Sequence, residues 1–579
     1  MKQYFAEMPL FGKPLKDKQK EKAAESVAQI KKVEEQYAAE VERVKNAGLP
    51  AERINQRGEM TAWQRLEYLL DPGTFLPMNT IFDPNETEEG TTGVINGLAK
   101  ISGRWVSVIA SDNKVLAGAW IGGQAENIFR AQDMAERLRI PLIWVLHCSG
   151  VKLTTQQEVY AGRRSGGRTF FRHAELAQKG IPVIVGMYGT NPAGGGYHAI
   201  SPAIIFAHKN SNMAVGGGGI VGGMSPKGHF DLEGVEALIE STRHFKAVPP
   251  GSPRIHHDKT GFMREVFDTE EGVLDAIKKC VAGLPVYDPS AFRVAEPKAP
   301  RFPGEDLNYL VPYNQKSTYK MDEVIARLVD NSEHSEFRPD YGPEIYCALA
   351  KIDGFPVGIV ANRQGFLGAN YPEYADYAGI GGKLYRQGLI KMSDFTTYCG
   401  RDRIPMIWIQ DTSGIDVGDI AEEAELLGLG MSLIYSIESS HLPMMTVVLR
   451  KGTAAAHYIM CGPQGNRNNA FTLGTPTTEV EVMHGETAAA AAFARRLVKE
   501  KDKGNDLQPV IDKMNALAKQ YYDQSRPDYC VKHGFVDEIV SLPKLRDYMV
   551  AFTQAVFQNP DSICPHHQML LPRIIRENI

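Results

Sequence analysis

Three segments of this 579-residue chain occur twice, in the same order. ISGRWVSVIASD from Ile101 matches IDGFPVGIVANR from Ile352, and IPLIWVLHCSGV from Ile140 matches IPMIWIQDTSGI from Ile404. IPVIVGMYGTNPAGGGY from Ile181 matches LPMMTVVLRKGTAAAHY from Leu442. The second set begins 251, 264 and 261 residues after the first. Spacing that constant means that one structural unit is used twice; with only two copies, the chain is a two-domain pseudo-dimer and not a solenoid. Its length predicts several globular units with sizeable cores.

The repeated unit is α/β. Short apolar runs, Trp105–Ala110, Leu142–Leu146 and Val183–Met187, read as strands, and the stretches Ala125–Leu138 and Thr169–Gln178 between them read as helices. Strands alternating with helices predict layered α/β structure with crossover connections. A Pro-rich segment, Pro285–Pro312, cannot hold a long helix or a central strand and is read as the inter-domain linker. Near the N-terminus, Val27, Ile30, Val33, Tyr37, Val41 and Val44 recur in steps of three and four, and Gly48 and Pro50 follow. This predicts an amphipathic helix over about 16–45, packed on its own domain or serving as a subunit-contact arm.

Composition excludes several classes. With 64 Lys+Arg against 69 Asp+Glu, the net charge of −5 provides no nucleic-acid footprint. The seven Cys are scattered from Cys148 to Cys564 without a C-x-x-C pair, which fits a reducing compartment and not a disulfide scaffold. No apolar run is long enough for a signal peptide or a membrane span, so the chain is expected to be soluble and intracellular.

Phosphate-loop, zincin and nucleophile-elbow signatures are missing, and no Cys/His cluster has metal spacing. Gly217–Gly222 satisfies G-x-G-x-x-G, but Pro226 and further glycines leave no helix start there, so it is read as a tight turn. The pairs His256-His257 and His566-His567 would point their rings apart, so no metal is assigned. What remains is a repeated backbone device. One strand in each half ends in Ser-Gly-aliphatic, Ser149-Gly150-Val151 and Ser413-Gly414-Ile415. A second strand leads to a cluster of tiny residues, Ala193-Gly194-Gly195-Gly196 and Ala454-Ala455-Ala456. Small residues admit a substrate to the main chain, and N–H groups at turns and helix starts are unsatisfied donors. Two such donors, one per segment, make an oxyanion hole; each half can build one.

At these residues the chain resembles the biotin-dependent acyl-CoA carboxyltransferases, which are built from two crotonase-like domains. The likeness covers roughly 58–545. It includes TAWQRLEYLLDPGTF (61–75), GVINGLAKISGRWVSVIASD (93–112), YKMDEVIARLVDNSEHSEFRPDYG (319–342), KIDGFPVGIVANRQG (351–365), IQDTSGIDVG (409–418), the stretch 423–462 and HGFVDEIV (533–540). It implies two tandem crotonase-like (ββα superhelix) domains with an N-terminal helical extension. The extension takes 1–57, an acyl-CoA domain 58–284, the linker 285–312 and a biotin domain 313–579.

Carried over residue by residue, the resemblance implies that Val151, with Gly194 and Gly195, holds an acyl-CoA thioester oxygen. Ile415, with Ala455 and Ala456, would hold the biotin ureido oxygen. Gly150 and Gly414 would line the two sites. The chain departs from the family at His147-Cys148, where an aspartate and a serine are usual, and at Ala454 and Ala455, where glycines are usual. No metal is implied. The chain has no Ala-Met-Lys-Met biotinylation site; Lys391-Met392 lacks its flanks, so biotin would come on a separate carrier subunit.

Within the family the likeness runs closest to sodium-pumping decarboxylases of anaerobic amino-acid fermentation. It implies transfer of the γ-carboxyl of glutaconyl-CoA to biotin, leaving crotonyl-CoA. Arg163, Arg164 and Arg168 are candidates for the distal carboxylate, against a solvated surface or a CoA-phosphate contact. The alternatives are another acyl-CoA carboxylase, such as a methylcrotonyl-CoA type, a single-site crotonase-like hydratase or hydrolase, and a non-catalytic scaffold. Implied partners are the acyl-CoA, the biotin carrier, an integral-membrane sodium-pump subunit and at least a second copy of this chain, with sites between domains of different subunits. The place is cytoplasmic, at the inner membrane only through partner subunits.

Overall fold

The computed structural model describes residues 8–559, apart from 161, 201–202, 218–219, 221–228, 248, 286–287, 368–378 and 463–465. Most of the Gly217–Gly222 motif and the His566-His567 pair lie outside the described residues. The chain forms two compact units, Glu40–Tyr287 and Met1–Ala39 with Asp288–Ile579.

In the Glu40–Tyr287 unit seven strands form one sheet, in the order Leu76–Met78, Val94–Ile101, Arg104–Ser111, Leu142–Leu146, Val183–Met187, Ile204–His208 and Glu265–Phe267. The first three are antiparallel neighbours, and every later pairing is parallel. The second unit repeats the plan with Ser335–Glu336, Ile345–Ile352, Phe355–Asn362, Met406–Thr412, Met444–Thr453, Asn469–Gly474 and Glu538–Ile539. Here too the first three strands are antiparallel and the others parallel, with Glu479–Glu481 added beside Met444–Thr453.

The copies agree below the level of strands. The hairpin turns Ser102-Gly103 and Asp353-Gly354 both have positive φ, 52° and 76° in one and 53° and 77° in the other, the twist that matches two-residue hairpins. Helices Gln124–Leu138 and Arg386–Asp402 both end in a left-handed arginine, Arg139 (φ 54°) and Arg403 (φ 59°). Each then feeds a strand buried on both faces, as parallel sheets require. Trp144 and Trp408 stand at matched positions in these strands and anchor the core of each unit. In the first, Trp144 packs with Ile128, Leu176 and Val185; in the second, Trp408 packs with Phe395, Leu433 and Met444.

The N-terminal helix runs Asp17–Lys45. Its residues up to Ala39 group with the second unit, where Ile30 and Val33 are buried and the Tyr37 hydroxyl donates to the Glu538 carboxylate. The Pro-rich segment after Asp288 holds only short helical turns. It lies on the same unit: Phe292 stacks on Phe557, Arg293 pairs with Asp353 at 2.5 Å, and the Val294 N–H donates to the Gly354 carbonyl. Among the described residues no helix is long and apolar enough to cross a membrane.

Candidate active site

In the first unit, strand Leu142–Leu146 runs out into His147-Cys148-Ser149-Gly150-Val151. The Trp120 N–H donates to the Gly150 carbonyl (2.8 Å), and the Lys152 N–H donates to the Trp120 carbonyl (2.9 Å). Trp120 and Val151 thus form a single parallel bridge. In a parallel bridge of this kind the flanking residues make the bonds, so the Val151 N–H points the other way. It has no acceptor among the described residues. Gly150 takes φ 103°, which only glycine adopts without strain. Asn191 pins the turn: its Oδ1 accepts from the Cys148 N–H (2.8 Å), and its Nδ2 donates to the Tyr188 and Asn212 carbonyls.

The second segment starts the helix Gly194–Ile200. Ala193, just before it, has φ 47° and donates its N–H to the Ala214 carbonyl. The N–H groups of Gly194, Gly195 and Gly196 open the first turn and have no acceptor among the described residues. A Cβ on Gly195 would stand 2.8 Å from the Cys148 carbonyl oxygen, and one on Gly194 would touch Trp120 at 3.5 Å. The helix start therefore seats on the turn carrying Val151 because Gly195 lacks a side chain.

The second unit builds the same device. Leu384 pairs with Ile415 as Trp120 does with Val151, and the Asp416 N–H donates to the Leu384 carbonyl (3.1 Å). The Ile415 N–H lies outside this ladder and has no acceptor among the described residues. Gly414 has φ 114°, and Ala454 has φ 54° at the start of helix Ala454–Ile459. That helix packs on Gly414–Ile415, and the N–H groups of Ala455 and Ala456 lie in its open first turn. A left-handed alanine costs about 1–2 kcal/mol. Both units carry that strain at the same step of the chain, Ala193 and Ala454, and strain of this kind clusters at functional sites.

Side chains behind the two turns differ. His147 is buried and held neutral: burial, with the charge of Arg65, pushes its pKa down to about 3. Burial pushes the Cys148 thiol up to about 12, so it is no nucleophile at neutral pH. In the second unit Asp411 is fully buried and pairs with Arg450 at 2.8 Å. Beside the strand end that leads to Ala454 lie Glu479 and Glu481, paired across the ladder with Lys451 and Thr453. Burial, then the charge of Glu481, raises Glu479 to about 7, against the lowering effects of His484, Arg526 and Lys451. A carboxyl raised on folding contributes stability that is lost as pH climbs from the unfolded value through the folded one. Glu479→Gln is therefore expected to raise the thermal unfolding midpoint relative to the parent at pH 8 and to leave it unchanged near pH 4. An equal effect at both pH values would contradict this.

Other candidate side chains are placed as follows. Arg164 is paired with Glu126 (2.8 Å) and Arg168 with Glu175 (2.6 Å); Arg163 is exposed and has no ionic partner among the described residues. Lys391 is buried, with Nζ donating to the Ile345 carbonyl (2.7 Å). His256 bonds Thr260 and the Met213 carbonyl while His257 turns to Asp258. Sequence reasoning missed Trp120, Leu384, Asn191 and Asp411. The first two share the 264-residue offset of the flanking repeat, a signal that could have found them. In each unit, then, a turn and a helix start that touch each other present N–H donors without acceptors among the described residues, over a floor of small residues. Such an arrangement of donors can stabilise an oxyanion.

Comparison with known proteins agrees with this plan. The carboxyl transferase domain family matches residues 53–570. The glutaconyl-CoA decarboxylase subunit alpha of Acidaminococcus fermentans is 57% identical over 580 residues, covering 100% of this chain and 98% of the relative. The biotin-dependent 3-methylcrotonyl-coenzyme A carboxylase beta1 subunit of Mycobacterium tuberculosis is 27% identical, covering 88% of this chain and 89% of its own. Among solved structures, the beta subunit of P. aeruginosa geranyl-CoA carboxylase aligns over 97% of this chain and 99% of its own, with a TM-score of 0.75 at 21% identity, a likeness of fold. The duplicated crotonase-like architecture and the match over nearly the whole chain place it: the protein belongs to the carboxyl transferase domain family and is a carboxyltransferase.

Proposed function

We propose that the chain is the carboxyltransferase subunit of a biotin-dependent decarboxylase, moving the γ-carboxyl of glutaconyl-CoA to biotin and releasing crotonyl-CoA. The observation that carries this reading is the pair of matched sites, whose Val151 and Ile415 N–H groups have no acceptor among the described residues, beside full-length likeness to a glutaconyl-CoA decarboxylase subunit. Two sites suit two substrates whose oxygens both gain negative charge; a hydratase would leave the second site idle.

The first unit takes the acyl-CoA, with the Val151 and Gly195 N–H groups on the thioester oxygen. The Cγ–carboxyl bond breaks, and its electron pair runs through the double bond to that oxygen, where the two donors meet the charge. Each such donor contributes about 3–4 kcal/mol to the transition state. The second unit takes biotin, here a second substrate brought by a carrier subunit, whose N1 accepts the carboxyl. The Ile415 and Ala456 N–H groups hold its ureido oxygen, and their charge stabilisation lets the N1 proton leave. That proton balances the reaction by ending on Cγ, so one CO2 unit and one hydrogen change places. Closely held reactants replace a bimolecular encounter and add a proximity term. A membrane sodium-pump subunit and a second copy of the chain complete the proposed assembly.

Purified chain given free biotin without ATP, and in turn glutaconyl-CoA, malonyl-CoA or methylmalonyl-CoA, is expected to form crotonyl-CoA and carboxybiotin from the first and little from the others. Preference for an α-carboxylated substrate would overturn the substrate and leave the reaction class standing.

A further inference from the structure

The two units differ at one matched pair of positions behind their turns. Where the first has His147 and Gly189, the second has Asp411 and Arg450, at the offsets of the flanking repeats. In the first, a methyl at Gly189 would stand 2.3 Å from Cε1 of the His147 ring, so the glycine makes room for a neutral imidazole. In the second, both members are charged and buried. Asp411 Oδ2 accepts from Arg450 Nε (2.8 Å) and the Tyr319 hydroxyl (2.9 Å), and Oδ1 accepts from the Lys451 backbone N–H (3.3 Å). Its own N–H donates to Asn362 Oδ1 (3.0 Å), and its carbonyl accepts from Gln364 Nε2 (2.7 Å). Arg450 continues the clamp through Nη1 to the Ser317 carbonyl (2.8 Å).

These bonds join two parallel strands close to the ends that lead into the site. Asp411 stands just before Ser413-Gly414-Ile415, and Lys451 just before Ala454-Ala455-Ala456. We infer that Asp411 is the positioning residue of the second site: its carboxylate clamps these strand ends and sets the spacing of the N–H groups at Ile415 and Ala456. The inference rests on the reading that this unit receives biotin. A carboxylate suits the task because it accepts from several directions at once; an amide in its place turns one acceptor into a donor and leaves Arg450 buried without its counter-charge.

The test compares Asp411→Asn and Tyr319→Phe with the parent, using glutaconyl-CoA and free biotin. The parent is expected to form one carboxybiotin per crotonyl-CoA. In Asp411→Asn that ratio is expected to fall about fivefold or more, as CO2 escapes a misaligned acceptor site, while the Kd of free biotin rises by a similar factor. Tyr319→Phe removes one bond to the carboxylate and keeps the Arg450 pair, so it should show a smaller drop in the same ratio, and it carries the test if Asp411→Asn does not fold. The Kd of crotonyl-CoA should stay within about twofold in both. Loss of both product rates together, at an unchanged ratio and unchanged biotin Kd, is what general loosening would give and would overturn the assignment. A parent that forms no carboxybiotin would overturn the functional reading, and this inference with it.

Discussion

Ile415→Pro is expected to lower carboxyl transfer to biotin about 10²–10³-fold, the cost of removing one preorganised donor from an oxyanion site. The substitution is informative because the Ile415 N–H takes no part in the ladder with Leu384; the bond there comes from Asp416. A proline ring at 415 deletes that donor and leaves the neighbouring ladder bond in place. Val151→Pro makes the matching change in the first unit, where Lys152 supplies the ladder bond to Trp120. It should instead slow formation of crotonyl-CoA itself. Initial rates of both products, on variants whose far-UV circular dichroism and unfolding midpoint match the parent, separate the two. Ile415→Val keeps the N–H and should stay near the parental rate. Unchanged rates in both folded proline variants would remove the assignment of these donors.

The second large effect concerns stability. Arg65 is completely buried, and its guanidinium meets the Glu270 carboxylate through Nε (2.8 Å) and Nη2 (2.7 Å). Glu270 also accepts from the Met60 N–H (3.1 Å). Breaking a buried pair from one side leaves an uncompensated charge, so Glu270→Ala is expected to destabilise the Glu40–Tyr287 unit by about 3–5 kcal/mol. Replacing both partners by Met and Leu should recover most of that loss. The damage should reach the first site, because Arg65 lies 4.0 Å from the Tyr188 ring centre and the Tyr188 carbonyl receives Asn191, which pins Cys148. Urea unfolding of parent, single and double variants measures this. A shift below about 1 kcal/mol for Glu270→Ala would show that the pair is not structural.

Much of this was legible before any coordinates. Strand Leu142–Leu146 and strand Val183–Met187 stand where the apolar runs put them, because parallel strands covered on both faces must be continuously apolar. The N-terminal helix begins and ends within about a residue of its expected bounds, since its apolar stripe and the Gly48 and Pro50 stops are local signals. The duplication of an α/β unit followed from the repeats, and its crotonase-like form from the family resemblance. What escaped was fixed by contacts distant in sequence. The bridges of Trp120 to Val151 and of Leu384 to Ile415 are too short to have a period. Ala193 and Ala454 carry no mark of their left-handed φ, because alanine is not a residue that advertises it. Asn191 and Asp411 act through partners brought together only by the fold.

The most direct measurement follows the carboxyl carbon itself. Glutaconyl-CoA labelled with ¹³C in its distal carboxyl is mixed with the purified chain and free biotin, without ATP, and both products are quantified by mass spectrometry. The label is expected on biotin in step with crotonyl-CoA, one for one at early times. Crotonyl-CoA formed with all the label released as CO2, at any biotin concentration, would contradict it.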